Sequence, residues 1–329
     1  MADEKLKEIK KQIYGTYLES PRDKRLHGML RSLVDNVDDH LNGGAGSRQT
    51  ALFVIGKSGS GKTHSLKHHC GRIAEFQPRE NQYGEIITPL LRIEAPSSST
   101  MKGFAITLLS AMGLPANPKQ TETQLFSAVK SQLKARGILY LHVDEAQHLI
   151  RHDSQKAITE VQDGLKSLMQ IADWPLHTIF SGVPDLAKLL ANDLQLANRS
   201  KIIRYIEQSA DDDREFINKA MTTVGEEICG LKISEELREP DFLGRLCHSS
   251  QGGLGKILET IQAACILSVK NDKPILETRA FAFLYQESSG CLPEHNIFSA
   301  NRWSDISPEH VLADLPAAIE PKKRERIKK

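Results

Sequence analysis

The chain has 329 residues, about twice the usual length of a single domain, so one large α/β domain with a smaller appended domain is expected. Apolar residues make up 40% of the chain and charged residues 26%, a balance that supplies a full core and excludes a mainly disordered or fibrous protein. The formal net charge is only +1, so bulk charge does not favour nucleic acid as a partner and any basic surface must be local.

The first 50 residues are predicted to form a helical extension. A charged helical pattern runs to about Tyr17, and Pro21 interrupts it. Apolar residues at helical spacing predict a second helix over residues 25–41, and the glycine-rich segment 42–47 closes the extension.

Five short apolar runs predict strands that are buried on both faces. They are residues 51–56, 86–93, 138–143, 177–180 and 202–206. Helical patterns separate each run from the next, and this alternation predicts an α/β domain over residues 51–210 with a wound, parallel five-stranded sheet.

The pattern changes after residue 210. Apolar residues keep helical spacing without strands between them, which predicts a small all-helical lid domain over residues 211–290. Residues 291–329 are rich in proline and polar residues and end in the basic stretch 321–329, so they are expected to form a flexible, partner-binding tail.

The cysteines and the amino end bear on location. Five cysteines with no C-x-x-C pair suggest neither a disulfide framework nor a zinc ribbon, so reduced thiols are expected. The first 15 residues lack the apolar core of a signal peptide, and no apolar run approaches membrane-spanning length. A cytoplasmic protein without a membrane partner is therefore expected.

One segment matches the phosphate-loop pattern G-x-x-x-x-G-K-[ST] between a predicted strand and a predicted helix. Its residues are Gly56, Lys57, Ser58, Gly59, Ser60, Gly61, Lys62 and Thr63. In such a loop backbone N–H groups surround phosphate oxygens, Lys62 reaches the β and γ phosphates, and the Thr63 hydroxyl ligates Mg²⁺. The alternative, a glycine-rich turn without a ligand, is disfavoured by the flanking strand and helix.

The predicted strand 138–143 delivers two adjacent carboxylates at its carboxyl end, which is a Walker B pattern. Asp144 is predicted to hold Mg²⁺ through water, and Glu145 to orient and deprotonate the attacking water. A strand ending in solvated acids is the alternative. Ser181 follows the next strand and is a candidate sensor of the γ-phosphate or the water, or else a simple turn former.

Together, the phosphate loop, the strand-end carboxylates, the polar end of the next strand and the helical lid resemble the AAA+ ATPases over residues 51–290. The resemblance implies Mg²⁺-dependent hydrolysis of ATP and side-by-side assembly, in which an arginine of one subunit reaches its neighbour's γ-phosphate. Arg199 lies where such fingers occur, with Arg204 in reserve; a surface arginine is the alternative. Where lids of this family usually carry a second-sensor arginine, this sequence has Lys256 instead; a lysine that faces solvent is the other interpretation.

Four segments indicate which family within the AAA+ ATPases the sequence resembles. They are residues 17–22, 143–148, 180–184 and 252–255. These segments are similar to those of the TniB and TnsC family of transposition regulators, which are related to MuB. The resemblance implies an oligomer, a ring or a helical filament, that forms on duplex DNA with ATP, recruits the transposase and disassembles on hydrolysis. It also implies direction by a TniQ-like target selector, in some members a CRISPR effector complex.

In that family the loop after the second strand and the following helices face DNA. The matching candidates here are Lys102, Lys119 and Thr121, which suit phosphate contacts without base reading. A cluster of helix-capping residues with an exposed lysine is the alternative, and the basic stretch 321–329 is a rival source of positive charge.

Two other functions stay open on the sequence. A replication initiator or helicase loader is another AAA+ class that handles DNA, although no winged-helix or zinc module is apparent. A scaffold or signalling NTPase without DNA binding fits the near-neutral charge.

Overall fold

The computed structural model describes residues 2–81, 83–97, 100–150, 154–191, 193–206 and 213–308. The described residues divide into two compact units: one lies within residues 19–206, and the other joins residues 2–18 to residues 213–308. The helices are α1 (Ala2–Gly15), α2 (Pro21–Leu41), α3 (Lys62–Arg72), α4 (Met101–Ala111), α5 (Glu122–Ala135), α6 (Gln155–Leu168), α7 (Leu194–Asn198), α8 (Arg214–Met221), α9 (Pro240–Ser249), α10 (Leu254–Lys270) and α11 (Thr278–Ser289).

The unit of residues 19–206 is built on a parallel sheet. The strands of this unit are β1 (Ala51–Gly56), β2 (Arg79–Glu80), β3 (Ile86–Ile87), β4 (Leu90–Glu94), β5 (Tyr140–Asp144), β6 (His177–Gly182) and β7 (Ser200–Tyr205). Five of them pair in the order β4-β5-β6-β1-β7, and every pair is parallel. The predicted wound, parallel five-stranded sheet is confirmed.

The sheet has a hydrophobic core on each face. On one face apolar residues of α2 and α3, such as Leu30 and Leu66, pack against Val54 of β1. On the other face residues of α4, α5 and α6 pack against Phe53 and Phe180. Because successive side chains of a strand point to opposite faces, a strand covered on both sides is apolar throughout, which explains the continuous apolar runs of the sequence.

One predicted strand is divided in the structure. Residues 86–93 were expected to form a single strand, but Ile86–Ile87 pairs antiparallel with Arg79–Glu80 and only Leu90–Glu94 joins the main sheet. Pro89 stands at the break. Proline has no N–H group to donate to a ladder, so it separates the two pairings.

The second unit corrects the predicted domain boundaries. Ile13 of α1 and Phe298 are both buried in its core with Phe281. The first 18 residues therefore belong with this unit rather than with residues 19–50, because the apolar face of α1 packs there. The predicted tail from residue 291 is also wrong for residues 291–308, since Phe298 is buried and Trp303 Nε1 donates to Asp241 Oδ1 at 2.9 Å. Residues 309–329, with the basic stretch 321–329, lie outside the described residues.

This unit is not all-helical as expected. Two short strands, β8 (Lys232–Ile233) and β9 (Ile275–Leu276), pair in parallel beside the helices. A π-helical segment, Thr222–Ile228, continues α8. Both strands have only two residues, too few to leave a period-two signature in the sequence.

Within the described ranges, no single helix is long and apolar enough to cross a membrane, and α9 with α10 meets that test only as a joined pair bent by 112°.

A buried histidine lies at the amino end of β6. His177 is fully buried, with Nε2 2.7 Å from Asn36 Nδ2 and Nδ1 3.0 Å from the Pro175 carbonyl oxygen. Because Nδ1 faces an acceptor it carries the proton, and Nε2 accepts from the Asn36 amide. Burial lowers the pKa of His177 to about 4. The folded protein therefore holds this imidazole neutral.

We expect His177 to make the free energy of unfolding fall as the pH drops from 6.5 to about 4. In the unfolded chain this imidazole binds a proton near pH 6.5, whereas in the folded chain it binds one only near pH 4. The stabilisation from neutral His177 is therefore complete above pH 6.5 and is lost as the pH falls to about 4. Denaturant titrations at several pH values measure the slope, which one proton limits to about 1.4 kcal/mol per pH unit. His177→Gln does not titrate and should flatten the profile; identical profiles would contradict this expectation.

Candidate functional site

The loop between β1 and α3 is shaped by glycines. Gly59 and Gly61 have φ angles of 74° and 91°, which residues with a side chain rarely adopt. A Cβ on Gly56 would lie 2.6 Å from the Cβ of Tyr205 and 2.9 Å from Ser60 Oγ. The loop runs directly into the amino end of α3, where the helix dipole and the N–H groups of the first turn attract anions. The local structure is therefore that of a phosphate loop, with Lys57 and Ser58 exposed within it.

Lys62 folds back over this loop. Its Nζ donates to the carbonyl oxygens of Gly56 and Lys57, at 2.7 and 2.8 Å, and lies 3.3 Å from Ser60 Oγ. The residue is only 5% exposed. Burial lowers the pKa of Lys62, whereas the carboxylates of Glu145 and Asp144 oppose that shift. The ammonium group is thus held at the loop, where it is placed to bind phosphate.

The carboxyl end of β5 meets the amino end of α3. Asp144 Oδ2 accepts from Thr63 Oγ1 at 3.0 Å, and Asp144 Oδ1 accepts from Ser181 Oγ at 2.6 Å. Burial raises the pKa of Asp144, but the hydrogen bonds that the carboxylate accepts from Ser181, Thr63 and the Glu145 N–H outweigh it, so the net pKa is lowered. The group is held as a carboxylate. A carboxylate beside a threonine hydroxyl is a hard-oxygen donor set, which fits Mg²⁺.

Ser181 contacts the strand-end carboxylate of Asp144. It is fully buried at the end of β6, and its hydroxyl lies between Asp144 Oδ1 and His142 Nε2, at 2.6 and 2.8 Å. His142 Nδ1 in turn accepts from Arg92 Nε at 3.2 Å. Burial, with Arg92 as a further cause, lowers the pKa of His142 to about 4, so the imidazole is neutral. Ser181 is therefore part of a polar chain and not merely a turn former.

Glu145 has an unusual backbone. Its φ and ψ are 50° and 37°, a left-handed conformation that is uncommon for a residue with a side chain. The side chain of Gln147 bridges it to β6, because Nε2 donates to Glu145 Oε2 and Oε1 accepts from the Val183 N–H at 3.2 Å. A Cβ on Gly182 would lie 2.2 Å from Gln147 Oε1, so the glycine leaves room for the amide. The Glu145 carboxylate is thereby fixed at the end of the sheet.

The arginine candidate lies away from these groups. Arg199 is the C-cap residue that follows α7, and its carbonyl accepts from the Ala51 N–H at 3.0 Å. Ser200 pairs with Ala51 at the amino ends of the strands, whereas Tyr205 pairs with Gly56 beside the phosphate loop. Six residues at about 3.3 Å each separate Arg199 from Tyr205, so the backbone of Arg199 lies about 20 Å from its own loop. Arg204, on β7, pairs with Ile55 and is exposed.

The remaining predicted site residues fall into two groups. Lys102 Nζ donates to the Pro118 carbonyl at 2.6 Å, which brings the start of α4 next to the loop that carries Lys119. Thr121 caps α5 and accepts from the Gln124 N–H at 3.2 Å, as the capping interpretation expects. Lys256 is exposed in the first turn of α10, in the other unit.

Three polar neighbours of the strand-end carboxylates are absent from the sequence prediction: Arg92, His142 and Gln147. Of these, only His142 gives a clear signal, because it interrupts an apolar run with a side chain that needs a partner when buried. Arg92 and Gln147 acquire their contacts from strand register and from the turn after β5, which single-residue patterns do not specify.

Comparisons with known proteins bear on this site. The family profile described as Bacterial TniB protein matches residues 18–208, more than half of the chain, and no curated protein matches. Cdc6p from Pyrobaculum aerophilum is similar with a TM-score of 0.54 and 12% identity, over 83% of this chain and 69% of that chain. The Aeropyrum pernix ORC2 protein, solved as ADPNP and ADP complexes, has a TM-score of 0.50 and 12% identity, over 78% and 66%.

The chain is an AAA+ ATPase, and it binds nucleotide. This class of protein is defined by the order of the strands in the sheet, the phosphate loop and the carboxylates at the strand end. At 12% identity the two solved structures support the fold alone. The family match is more specific. This chain belongs to the TniB family, the AAA+ ATPases that regulate transposition.

Proposed function

We propose that this protein assembles on target duplex DNA with ATP, links a TniQ-like target selector to transposase subunits, and hydrolyses ATP to disassemble. A CRISPR effector complex is the form of selector that an RNA-guided system would supply. Membership of the TniB family carries the proposal, and the clustered Lys62, Thr63, Asp144 and Glu145 support its ATP-driven part. The bacterial cytoplasm is the proposed location.

ATP and Mg²⁺ are the proposed cofactors. Thr63 and Asp144 would hold Mg²⁺, which when bound neutralises phosphate charge. Lys62 and the N–H groups of the phosphate loop bind the phosphates. Glu145 orients the attacking water and accepts its proton, and the bridge from Gln147 fixes the carboxylate for that role. Ser181 acts through Asp144, whose Oδ1 it contacts.

Two further residues complete the proposed oligomeric site. Arg199 is proposed to act on the nucleotide of a neighbouring subunit, and its distance along the sheet from its own phosphate loop supports this role. Lys256 takes the second-sensor role at the start of a lid helix.

Sequence-nonspecific DNA binding is the partner proposal that an experiment tests first. Fluorescence anisotropy of a labelled duplex, with ADP or a nonhydrolysable ATP analogue, reports whether binding needs the triphosphate. Negative-stain imaging of the same samples reports rings or filaments. We expect assemblies on DNA with the analogue only, and none with Lys62→Ala, which lacks the cation at the phosphates. Equal DNA binding in both nucleotide states, or none in either, would overturn the proposal.

Lys102 and Lys119 are expected to supply DNA phosphate contacts. Replacing both with alanine should weaken binding about equally on unrelated duplexes, because phosphate contacts carry no sequence information. It should also reduce the dependence of affinity on salt, by about one unit of slope for each lost contact. Anisotropy titrations at several salt concentrations measure both effects.

A double variant with the same charge change is the control. Lys67→Ala with Lys156→Ala removes two exposed lysines elsewhere in the same unit and should leave the salt slope unchanged. Deleting residues 321–329 tests the rival basic stretch. If the deletion abolishes DNA binding while the Lys102 and Lys119 variant binds normally, the DNA contact belongs to the carboxyl terminus instead.

A further inference from the structure

A chain of hydrogen bonds connects solvent to the strand-end carboxylate across three strands. Exposed Arg92 on β4 donates from Nε to His142 Nδ1 at 3.2 Å, and His142 Nε2 lies 2.8 Å from Ser181 Oγ. Ser181 Oγ lies 2.6 Å from Asp144 Oδ1. Arg92 and His142 are register partners of adjacent strands, so their side chains stand together on one face.

These hydrogen bonds can all donate in only one direction, from Arg92 towards Asp144. A guanidinium carries only donors, so His142 Nδ1 must be an acceptor and the ring proton must lie on Nε2. Nε2 then donates to Ser181 Oγ. The one hydroxyl proton of Ser181 is left to point at Asp144 Oδ1, and each link follows from the one before it.

The other imidazole tautomer would break this chain at both ends. An Nδ1–H group would face the Arg92 N–H, donor against donor. Ser181 would then have to give its proton to Nε2, and two oxygens 2.6 Å apart would be left without a hydrogen between them. Arg92 therefore selects the tautomer that lets Ser181 bind the carboxylate.

In this arrangement the two carboxylate oxygens of Asp144 have different partners. Oδ1 accepts from Ser181 Oγ and from the Glu145 N–H, at 2.6 and 3.0 Å, whereas Oδ2 faces the Thr63 hydroxyl. Two protein donors on Oδ1 fix the rotation of the carboxylate. Oδ2 is the oxygen turned to the side where a metal ion would share Thr63.

We propose that Arg92 and His142 are positioning residues, which orient Asp144 through Ser181 and so set the affinity of the site for Mg²⁺. The inference rests on the proposed role of Asp144 as an Mg²⁺ ligand. His142 is 1% exposed, between the fully buried apolar residues Leu141 and Val143, and an apolar residue in its place would leave no polar group of its own to satisfy. Arg92 is exposed, so its removal takes little from the core.

The first measurement is the tautomer itself. Protein with ¹⁵N-labelled histidine, in a long-range ¹H–¹⁵N spectrum, should show His142 protonated at Nε2 and bare at Nδ1, with His142→Gln used to assign the signals. Arg92→Met should convert this state into a mixture of tautomers. Arg136→Met, which removes another exposed arginine, should leave it unchanged.

The second measurement is the Mg²⁺ concentration that gives half-maximal ATP hydrolysis. We expect it to rise about threefold in Arg92→Met and about tenfold in His142→Leu, because partners behind a metal ligand tune its affinity. His142→Gln keeps one donor and one acceptor and should restore most of the loss. ATP binding without Mg²⁺ should be equal in all variants.

The outcomes separate this inference from the function on which it rests. If Arg92→Met keeps both the wild-type tautomer and the wild-type Mg²⁺ dependence, the positioning role is overturned while the ATPase stands. If wild-type hydrolysis needs no Mg²⁺, the proposed Mg²⁺ role of Asp144 fails, and the positioning role fails with it. Should His142→Leu not fold, exposed Arg92 still decides the question.

Discussion

Glu145→Gln should lower the rate of ATP hydrolysis by about 10²- to 10⁴-fold, the usual contribution of a positioned general base. An amide cannot accept the proton of the attacking water. It can still accept a hydrogen bond from Gln147, so the bridge to the Val183 N–H survives and the fold of the site is kept. Single-turnover hydrolysis measures the loss, and equilibrium binding of labelled ATP should be unchanged.

The persistence of DNA-bound assemblies gives a second readout of Glu145→Gln. Because hydrolysis is the proposed signal for disassembly, assemblies formed with ATP should persist as they do with a nonhydrolysable analogue. Glu160→Gln is a matched control, since it makes the same chemical change at an exposed position on α6. Wild-type hydrolysis in Glu145→Gln would remove it as the base, and loss of ATP binding would show a structural defect instead.

The nucleotide site could be predicted where its chemistry is local in sequence. The phosphate loop needs glycines, a lysine and a threonine within eight consecutive residues, and it needs a strand before it and a helix after it. Asp144 and Glu145 are likewise marked by the apolar strand that they end. These features depend on neighbours along the chain, which a sequence pattern records.

The partners of those carboxylates depend on strand register instead. Arg92 meets His142 because Leu90 pairs with Tyr140, and moving that register by one residue would turn Arg92 to the opposite face. Gln147 reaches Glu145 through a left-handed turn that the pattern D-E-A-Q does not specify. The burial of Phe298 was missed for a similar reason, since its contacts come from helices far away in sequence.

Arg199 lies at the amino-terminal ends of the strands, a position compatible with the proposed role on a neighbouring subunit. Because the sheet is parallel, Asp144, Ser181 and the phosphate loop that follows β1 all lie at the carboxyl ends of the strands, whereas Arg199 lies at their amino ends. In a ring or helical filament each subunit presents one surface to the next, and the two faces of the contact differ. A residue remote from its own phosphate loop can then lie beside the neighbour's.

Arg199→Ala should bind ATP with wild-type affinity yet lose about 10³-fold or more in hydrolysis, as removal of an arginine finger does. Mixing it with Glu145→Gln tests whether the defect acts between subunits. Each variant alone lacks one half of the site, but an Arg199→Ala subunit whose neighbour is Glu145→Gln has both halves. In an equal mixture about a quarter of the contacts are complete, so activity should peak there and fall toward either pure protein.

The shape of this mixing curve distinguishes a finger in trans from its alternatives. An arginine that acts within its own subunit gives no activity at any ratio, because no subunit then holds a complete site. An arginine needed only for assembly gives Arg199→Ala protein that forms no oligomers with the ATP analogue, which sedimentation detects. Arg204→Ala is the matched comparison: it removes an exposed arginine on β7, near the phosphate-loop edge of the sheet. If Arg204→Ala instead of Arg199→Ala shows the peaked curve with Glu145→Gln, the finger is Arg204.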